Sequence, residues 1–339
     1  MEDRWKELAV YRDALNREMR SLVGRFAPGP AELDRMLCYH LGWVDEDGHA
    51  VEVYPGKQVR PLLVLLSAES AGGKWEQALP AAAAIELLHN FSLIHDDIED
   101  GSPLRRGRPS VWKLWGVSSA INAGDAMFAL SYAALWSLVE RGVPEYRVLQ
   151  AMSLFARTGL ELTRGQHLDM AFERVSVVSV DEYLAMIGAK SAALIAASAE
   201  MGALVSGAPD KVVQRYREFG YALGVAFQIR DDILGIWGEQ RVTGKSTVTD
   251  IVSKKKTLPV LFGLEVSSEL REIYAQPGLS DMDVARCVQI LGECGAREYA
   301  VKLEEQYLER VGEVVGSLGG GGVSDVLLWL VEALLGRGF

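Results

Sequence analysis

Apolar positions recur along this chain at intervals of three and four residues, and strict alternation of apolar with polar residues is hard to find. That period predicts helices over 2–25, 30–42, 59–72, 75–100, 118–141, 144–173, 180–206, 209–238, 280–293, 296–316 and 322–336. Proline and glycine punctuate the gaps, as in APGP at 27–30, YPG at 54–56, GSP at 101–103 and GGGG at 319–322. Two segments go beyond ordinary amphipathic patterning. Residues 75–100 are almost wholly apolar until the last turn, and 190–206 (KSAALIAASAEMGALVS) are apolar on most faces. Helices of that kind are buried in the middle of a large bundle. No stretch reads as an inter-domain linker or a repeat of fixed period, so residues 1–339 are expected to form a single all-α domain.

Composition narrows the field. Apolar residues make up 49% of 339 positions, enough for a large core. A net charge of −11 argues against a nucleic-acid binder, whose affinity for phosphates rests on an excess of Lys and Arg. Cys38, Cys287 and Cys294 have no CxxC spacing and read as reduced thiols of a cytoplasmic protein. The charged opening MEDRWKELAV lacks the apolar stretch of a signal peptide. Nowhere do about 18 apolar residues follow one another without interruption, so no membrane span is expected.

The densest chemistry lies in LIHDDIEDGSPLRRGRPS at 93–110. Asp96, Asp97, Glu99 and Asp100 crowd the end of an apolar helix, and Arg105 and Arg106 follow. Asp96 and Asp100 are one turn apart on one face, with Asp97 three residues before Asp100. Like charges so placed repel, and a helix carries them together where something positive compensates. Oxygen-rich, partly open clusters suit Mg²⁺, which takes one or two carboxylates plus substrate phosphates. Adjacent guanidiniums can grip the same phosphates bidentately. The stretch reads as a site for a metal-bound diphosphate.

A second acidic pair stands in FQIRDDILGIWG at 227–238. Gln228 lies three residues before Asp231 and four before Asp232, so all three can face one cavity. Thr243-Gly244-Lys245, Asp250 and Lys254-Lys255-Lys256 come after it. One such pair on a helix is more often a solvated face. Two, each ending an apolar helix and each followed by cations, are harder to explain as surface decoration; across a bundle they could hold several Mg²⁺ ions around one diphosphate.

Other patches admit two readings each. Lys57 and Arg60, in GKQVRP, either bind an anion or form a solvated helix start. His89 lies seven residues before Asp96, on nearly the same face, and is either a site residue or a satisfied core histidine. Lys190, beside Ser191, opens a very apolar helix and has few reasons to sit there unless it meets an anion. Gln166 and Asp169 are one turn apart and either line a cavity or bond between helices.

These residues together resemble the trans-isoprenyl diphosphate synthases, the head-to-tail prenyltransferases of isoprenoid biosynthesis, and geranylgeranyl diphosphate synthases in particular. The likeness runs in order through GKQVRP (56–61), ELLHNFSLIHDDIED (86–100), RRGRP (105–109), GQHLD (165–169), AKSA (189–192), FQIRDD (227–232) and the lysines near 255. It implies an all-α bundle around a deep central cavity, usually homodimeric. By this resemblance Lys57, Arg60, His89 and Arg106 bind isopentenyl diphosphate, while Arg105, Lys190, Ser191, Gln228, Lys245 and Lys255 surround the allylic diphosphate. Asp96, Asp100 and Asp231 match the Mg²⁺ ligands, with Asp97 and Asp232 in support.

One departure stands out. The family's second cluster is commonly DDxxD, and here it is DDILG, with Gly235 in place of the third carboxylate. Weakened metal binding is the milder consequence, and a poorly active partner subunit of another synthase the harsher one. A class I terpene cyclase is a third reading, which the residues matching an isopentenyl site oppose. Phe91 lies about 7.5 Å below Asp96 along the helix, where the family's short-chain members carry a bulky floor, and Ser92 beside it is small. With no insertion, DDIED resembles the motif of geranylgeranyl rather than bacterial farnesyl synthases, and that resemblance implies a C20 product first and C15 next.

Overall fold

The helical period is realised almost throughout, and the only paired strands among the described residues are two of two residues each. The computed structural model describes residues 8–27, 31–51, 53, 56–175, 177–238, 249–318 and 327–332. The all-α expectation holds. By internal contacts the chain divides into two compact units, residues 1–155 with 198–213 and residues 156–197 with 214–339.

In the first unit, α1 (Ala9–Phe26), α2 (Glu32–His40) and α3 (Val59–Ser70) precede a 3₁₀ turn at Trp75–Ala78. Then come α4 (Leu79–Glu99), β1 (Leu104–Arg105), β2 (Arg108–Pro109), α5 (Val111–Trp115) and α6 (Val117–Trp136). α4 is built from Ala81–Ala84 and long apolar residues, all good helix formers, with Pro80 in the first turn, where its missing N–H costs nothing. It is buried on nearly every face from Leu79 to Leu88 and packs against α3 and α6. Toward its end only Asn90, Ile94 and Asp97 remain buried, so the acidic cluster stands where the buried helix emerges. The expected helix 75–100 is thus a 3₁₀ turn followed by an α-helix.

The second unit takes in most of α7 (Glu145–Arg174) and α10 (Asp210–Trp237), with α8 (Val180–Ile187), a π-turn at Gly188–Ala192 and the first part of α9 (Ala193–Val205). α11 (Thr249–Val252), α12 (Leu258–Val266), α13 (Ser268–Tyr274), α14 (Asp281–Glu293) and α15 (Ala296–Ser317) complete it. Ser179 starts α8 with a capping box, its Oγ accepting from Glu182 N while Glu182 Oε2 accepts from Ser179 N. Arg230 Nε donates to Glu304 Oε1 at 2.6 Å, tying α10 to α15 through a carboxylate side chain that is 1% exposed.

Two differences from the sequence expectation have physical reasons. The expected helix 180–206 is interrupted by the π-turn, which a segment apolar on most faces does not reveal by its periodicity. No helix was expected between 238 and 280, yet α11, α12 and α13 lie there. α12 reads LPVLFGLEV: apolar all round, and its proline serves as a helix start where sequence alone suggests a break. Val180–Val205 is long and apolar enough to cross a membrane, but 72% of its apolar window is buried inside the protein, as for a core helix. All three cysteines are free.

Candidate active site

Adjacent carboxylates at the end of α4 have opposite environments. Asp97 is 1% exposed, and its Oδ1 accepts from Arg105 Nε at 3.0 Å and Arg105 Nη2 at 2.5 Å. Burial raises its pKa above the usual carboxylate range, and the Arg105 pair only partly offsets that. Asp96 is half-buried and Asp100, the C-cap, is exposed. Arg105 is delivered by a feature the sequence concealed. β1 and β2 form a hairpin with Arg105 opposite Arg108, and the connecting Arg106 and Gly107 both have positive φ, 53° and 76°. That is the left-handed pair a two-residue turn demands. Arg108 is also committed to the protein, donating to Tyr39 O and Val44 O and lying 3.9 Å from the Tyr39 ring centroid. Arg106 is left exposed at the turn.

Arg60 and His89 meet, with Arg60 Nη1 and His89 Nε2 3.3 Å apart. A guanidinium has only donors, so Nε2 must accept and Nδ1 carries the proton. Burial, then the charges of Arg60, Arg106 and Arg105, hold this imidazole well below its ordinary pKa, hence neutral. Four groups of the sequence reading therefore share one electrostatic neighbourhood within the first unit. Lys57 lies just ahead of it, half-buried, before the left-handed Gln58 that opens α3.

Phe91 heads a run of rings. Its centroid is 5.1 Å from Phe128, which is 5.2 Å from Tyr132, which in turn is 5.1 Å from Phe155. Phe128 and Tyr132 stand four residues apart on α6, so the stack is assembled from three helices. Ser92 donates its hydroxyl back to His89 O at 2.8 Å.

Within the second unit, Asp232 anchors a network. Its Oδ2 accepts from Tyr183 Oη and, at 3.0 Å, from Leu258 N, the first residue of α12. Its Oδ1 accepts from Gln228 Nε2 at 3.1 Å, and Gln228 Oε1 accepts from Ser191 Oγ at 2.6 Å. Burial still pushes Asp232 up to about 7, against three hydrogen bonds that pull it down. Asp231, one residue earlier, is half-buried.

Lys190, whose charge the sequence left looking for an anion, pairs with Asp169 from the π-turn. Gly165 makes that approach possible: a β-carbon there would lie 2.2 Å from Lys190 N and 2.6 Å from its Cα. Gly165→Ala should therefore push the π-turn off α7 and cost about 1–3 kcal/mol, read as a lower urea midpoint at unchanged m. A midpoint equal to wild type would mean the two backbones are not locked together.

Lys254 donates to Tyr274 O at 3.1 Å and also to Gln276 O, and Lys256 donates to Phe172 O at 2.6 Å, so both are committed to carbonyls. Lys255 is exposed, and among the described residues no side-chain partner is found for it. Lys245 lies outside the described residues. A further group, Asp45, Asp47 and His49, has its ligand atoms within 4.8 Å of one another. It is a surface turn in which Asp45 Oδ1 accepts from the backbone N–H of Asp47 and His49.

The family model for polyprenyl synthetase matches residues 43–291. The chain belongs to the polyprenyl synthetase family. It is 38% identical over 320 residues to a (2E,6E)-farnesyl diphosphate synthase of Mycobacterium bovis, covering 92% of this chain and 87% of that one. Its identity to a geranylgeranyl diphosphate synthase of Mycobacterium tuberculosis is 38% over 282 residues, 82% of this chain and 79% of the relative. Among solved structures, a polyprenyl synthetase from Streptomyces coelicolor superposes with a TM-score of 0.86 at 34% identity, covering 95% of this chain and 97% of that one. A geranylgeranyl pyrophosphate synthetase from Pyrococcus horikoshii gives 0.88 at 29%, with 98% of each chain covered.

As a polyprenyl synthetase, this chain carries site neighbours that its sequence did not disclose. Tyr183, which holds Asp232, is 49 residues from it, and only the fold joins them. Phe128, Tyr132 and Phe155 are aromatic positions on apolar helices with no local mark of their association with Phe91. For the rings the available signal was the four-residue spacing of Phe128 and Tyr132, which places both on one face.

Proposed function

We propose that this protein condenses isopentenyl diphosphate with an allylic diphosphate, head to tail, making a short-chain trans-prenyl diphosphate and releasing diphosphate. The carrying observation is its 38% identity, over 92% of its length, to a farnesyl diphosphate synthase. Both C15 and C20 products suit its relatives, and we favour C20 because DDIED has no insertion and Phe91 heads a ring stack. We further propose that the two units act as one catalytic domain, that two copies associate as a homodimer, and that the enzyme works in the cytoplasm.

The donor chemistry at Asp96, Asp100 and Asp231 fits Mg²⁺. These are hard carboxylate oxygens on half-buried or exposed residues, whereas the neighbouring Asp97 and Asp232 are buried, Asp97 giving Oδ1 to Arg105 and Asp232 giving both oxygens to protein donors. Asp97 and Asp232 then act as positioning residues, one fixing Arg105 and the hairpin, the other fixing Gln228 and the start of α12. When bound, Mg²⁺ neutralises the charge that develops on the leaving diphosphate. Lys190, Lys245 and Lys255 assist by electrostatic attraction to the allylic diphosphate, worth most as the C–O bond breaks. Arg60, Arg106 and Lys57 hold isopentenyl diphosphate, with the neutral His89 as a hydrogen-bonding partner. The allylic cation is attacked by the isopentenyl double bond and a proton is lost, the departing diphosphate being its acceptor. Gln166, Gln228 and Ser191 can face the cation with partial negative charge yet no strong nucleophile, and apolar walls exclude the water that would quench it.

The test is incubation of purified protein with Mg²⁺, labelled isopentenyl diphosphate and allylic diphosphates of increasing length, followed by resolution of the products. Label in a C20 or C15 diphosphate is expected. A hydrocarbon or alcohol from the allylic substrate alone would instead mark a cyclase, and no product would mark a partner subunit.

A further inference from the structure

Between α11 and α12 the exposure of the chain alternates. Lys254 and Lys256 are half-buried, and Lys255 between them is exposed. In–out–in is the pattern of extended chain, in which successive side chains leave on opposite sides. Residues 255–257 are in neither helix nor strand, and Thr257 has extended dihedrals, φ −76° and ψ 163°.

Both inward lysines close helix ends. Lys256 Nζ donates to Phe172 O at 2.6 Å, in the last turn of α7. Lys254 Nζ donates to the carbonyl of Tyr274, the last residue of α13, at 3.1 Å and also to that of Gln276. An ammonium suits the negative end of a helix, whose last carbonyls have no intrahelical partner. Capping alone does not explain where these two stand. Burial disfavours the charge of Lys256 and lowers its pKa. Lys254 adopts a φ of 55°, the left-handed region that a residue with a β-carbon resists. Lysines that capped the same ends from the surface would bear neither penalty.

The two tethers bracket one residue. Lys254 N donates to Ile251 O at 2.9 Å and Lys255 N to Asp250 O at 2.8 Å, closing the turn after α11. Downstream, Leu258 N donates to Asp232 Oδ2 at 3.0 Å. The backbone of Lys255 is thus fixed on both sides, and the second fix is to the carboxylate adjacent to Asp231.

We propose that Lys254 and Lys256 are positioning residues that hold Lys255 toward the allylic diphosphate. The proposal rests on the role given above to Lys255 in the allylic site. A lysine carries its charge on a flexible four-carbon stem, and a fixed backbone reduces the ordering that binding would otherwise require.

The experiment uses the full chain with Mg²⁺ and inorganic diphosphate, whose affinity is read by calorimetry, alongside KM for each substrate. Lys256→Met keeps the stem and removes the ammonium. It should weaken diphosphate binding and raise KM for the allylic substrate by on the order of tenfold, with KM for isopentenyl diphosphate unchanged. Lys254→Gly suits the left-handed backbone but has no tether, and should act in the same direction. Lys256→Arg, which can still donate to Phe172 O, should keep most of the affinity. In a chain already carrying Lys255→Ala, Lys256→Met should add almost nothing, because its effect passes through the side chain that is gone. An equal loss in both backgrounds overturns the proposal. So does a lower melting temperature with diphosphate affinity unchanged, the result expected of helix capping alone. If Lys256→Met weakens diphosphate binding only where Lys255 is present, yet the wild type makes no prenyl product, the proposed activity falls and this inference stands.

Discussion

Asp96→Ala should lower kcat by roughly 10³-fold and leave the melting temperature where it is, while Arg105→Ala, nine residues on, should first of all lose stability. Asp96 is half-buried, so truncating it opens no cavity in the fully buried core. What disappears is an oxygen directed at the proposed metal, whose contribution is made as charge develops in the transition state. Arg105 is different because of what it leaves behind. Asp97 is 1% exposed, takes both of its charge-assisted bonds on Oδ1 from Arg105, and has an Oδ2 without a hydrogen-bond partner among the described residues. Removing the guanidinium buries an uncompensated carboxylate, which costs about 3–5 kcal/mol when one partner of a buried pair is lost. Steady-state kinetics and urea unfolding on both variants separate the two effects. Activity within tenfold of wild type in Asp96→Ala would take the cluster out of the mechanism, and a fully stable Arg105→Ala would show the ion pair to be dispensable.

Phe91→Ala should lengthen the product by one or two isoprene units, and the double variant Phe91→Ala with Phe128→Ala should lengthen it further. The growing chain is expected to descend along α4 from the acidic cluster, and Phe91 lies about 7.5 Å below Asp96. Behind Phe91 stands Phe128, then Tyr132, then Phe155, each ring centroid 5.1 to 5.2 Å from the next. Removing one ring opens a space comparable to one isoprene unit and exposes the next ring as the new floor, so the response should be stepwise. The stability cost of the single change should stay below the roughly 3–5 kcal/mol of a fully buried phenylalanine, since Phe91 is only half-buried. Chromatography of labelled products from a fixed allylic primer gives the answer. An unchanged distribution in both variants would remove the rings from the control of length.

Helical spacing made much of this legible before any fold was known. Asp96 and Asp100 one turn apart, His89 two turns back, and Gln228 facing Asp231 and Asp232 are relations within single helices, and helix geometry alone sets them. What stayed hidden depends on contacts distant in sequence or on backbone conformation. Arg105 and Arg106 look equivalent as neighbours, yet the hairpin turns one onto Asp97 and leaves the other exposed with φ at 53°. Lys254, Lys255 and Lys256 look like one cationic run, and two of them are spent on backbone carbonyls. The division into two units has no linker to betray it, because each chain crossing falls inside a helix: α7, α9 or α10.

The π-turn at Gly188–Ala192 has a consequence for comparisons along this chain. A turn closed by i→i+5 bonds carries one residue more than its α-helical counterpart, and each residue of α-helix advances the azimuth by about 100°. Deleting a single residue from 188–192 would thus let the helix close normally and leave the side chains of Ala193–Val205 facing nearly as they do now relative to α8, because the wide turn absorbs the extra residue's rotation. An ungapped alignment with a relative whose helix is regular here would match sequence positions while mispairing faces. A one-residue gap at the turn, absurd by the usual rule that helices do not accept indels, would put each side chain opposite its true counterpart.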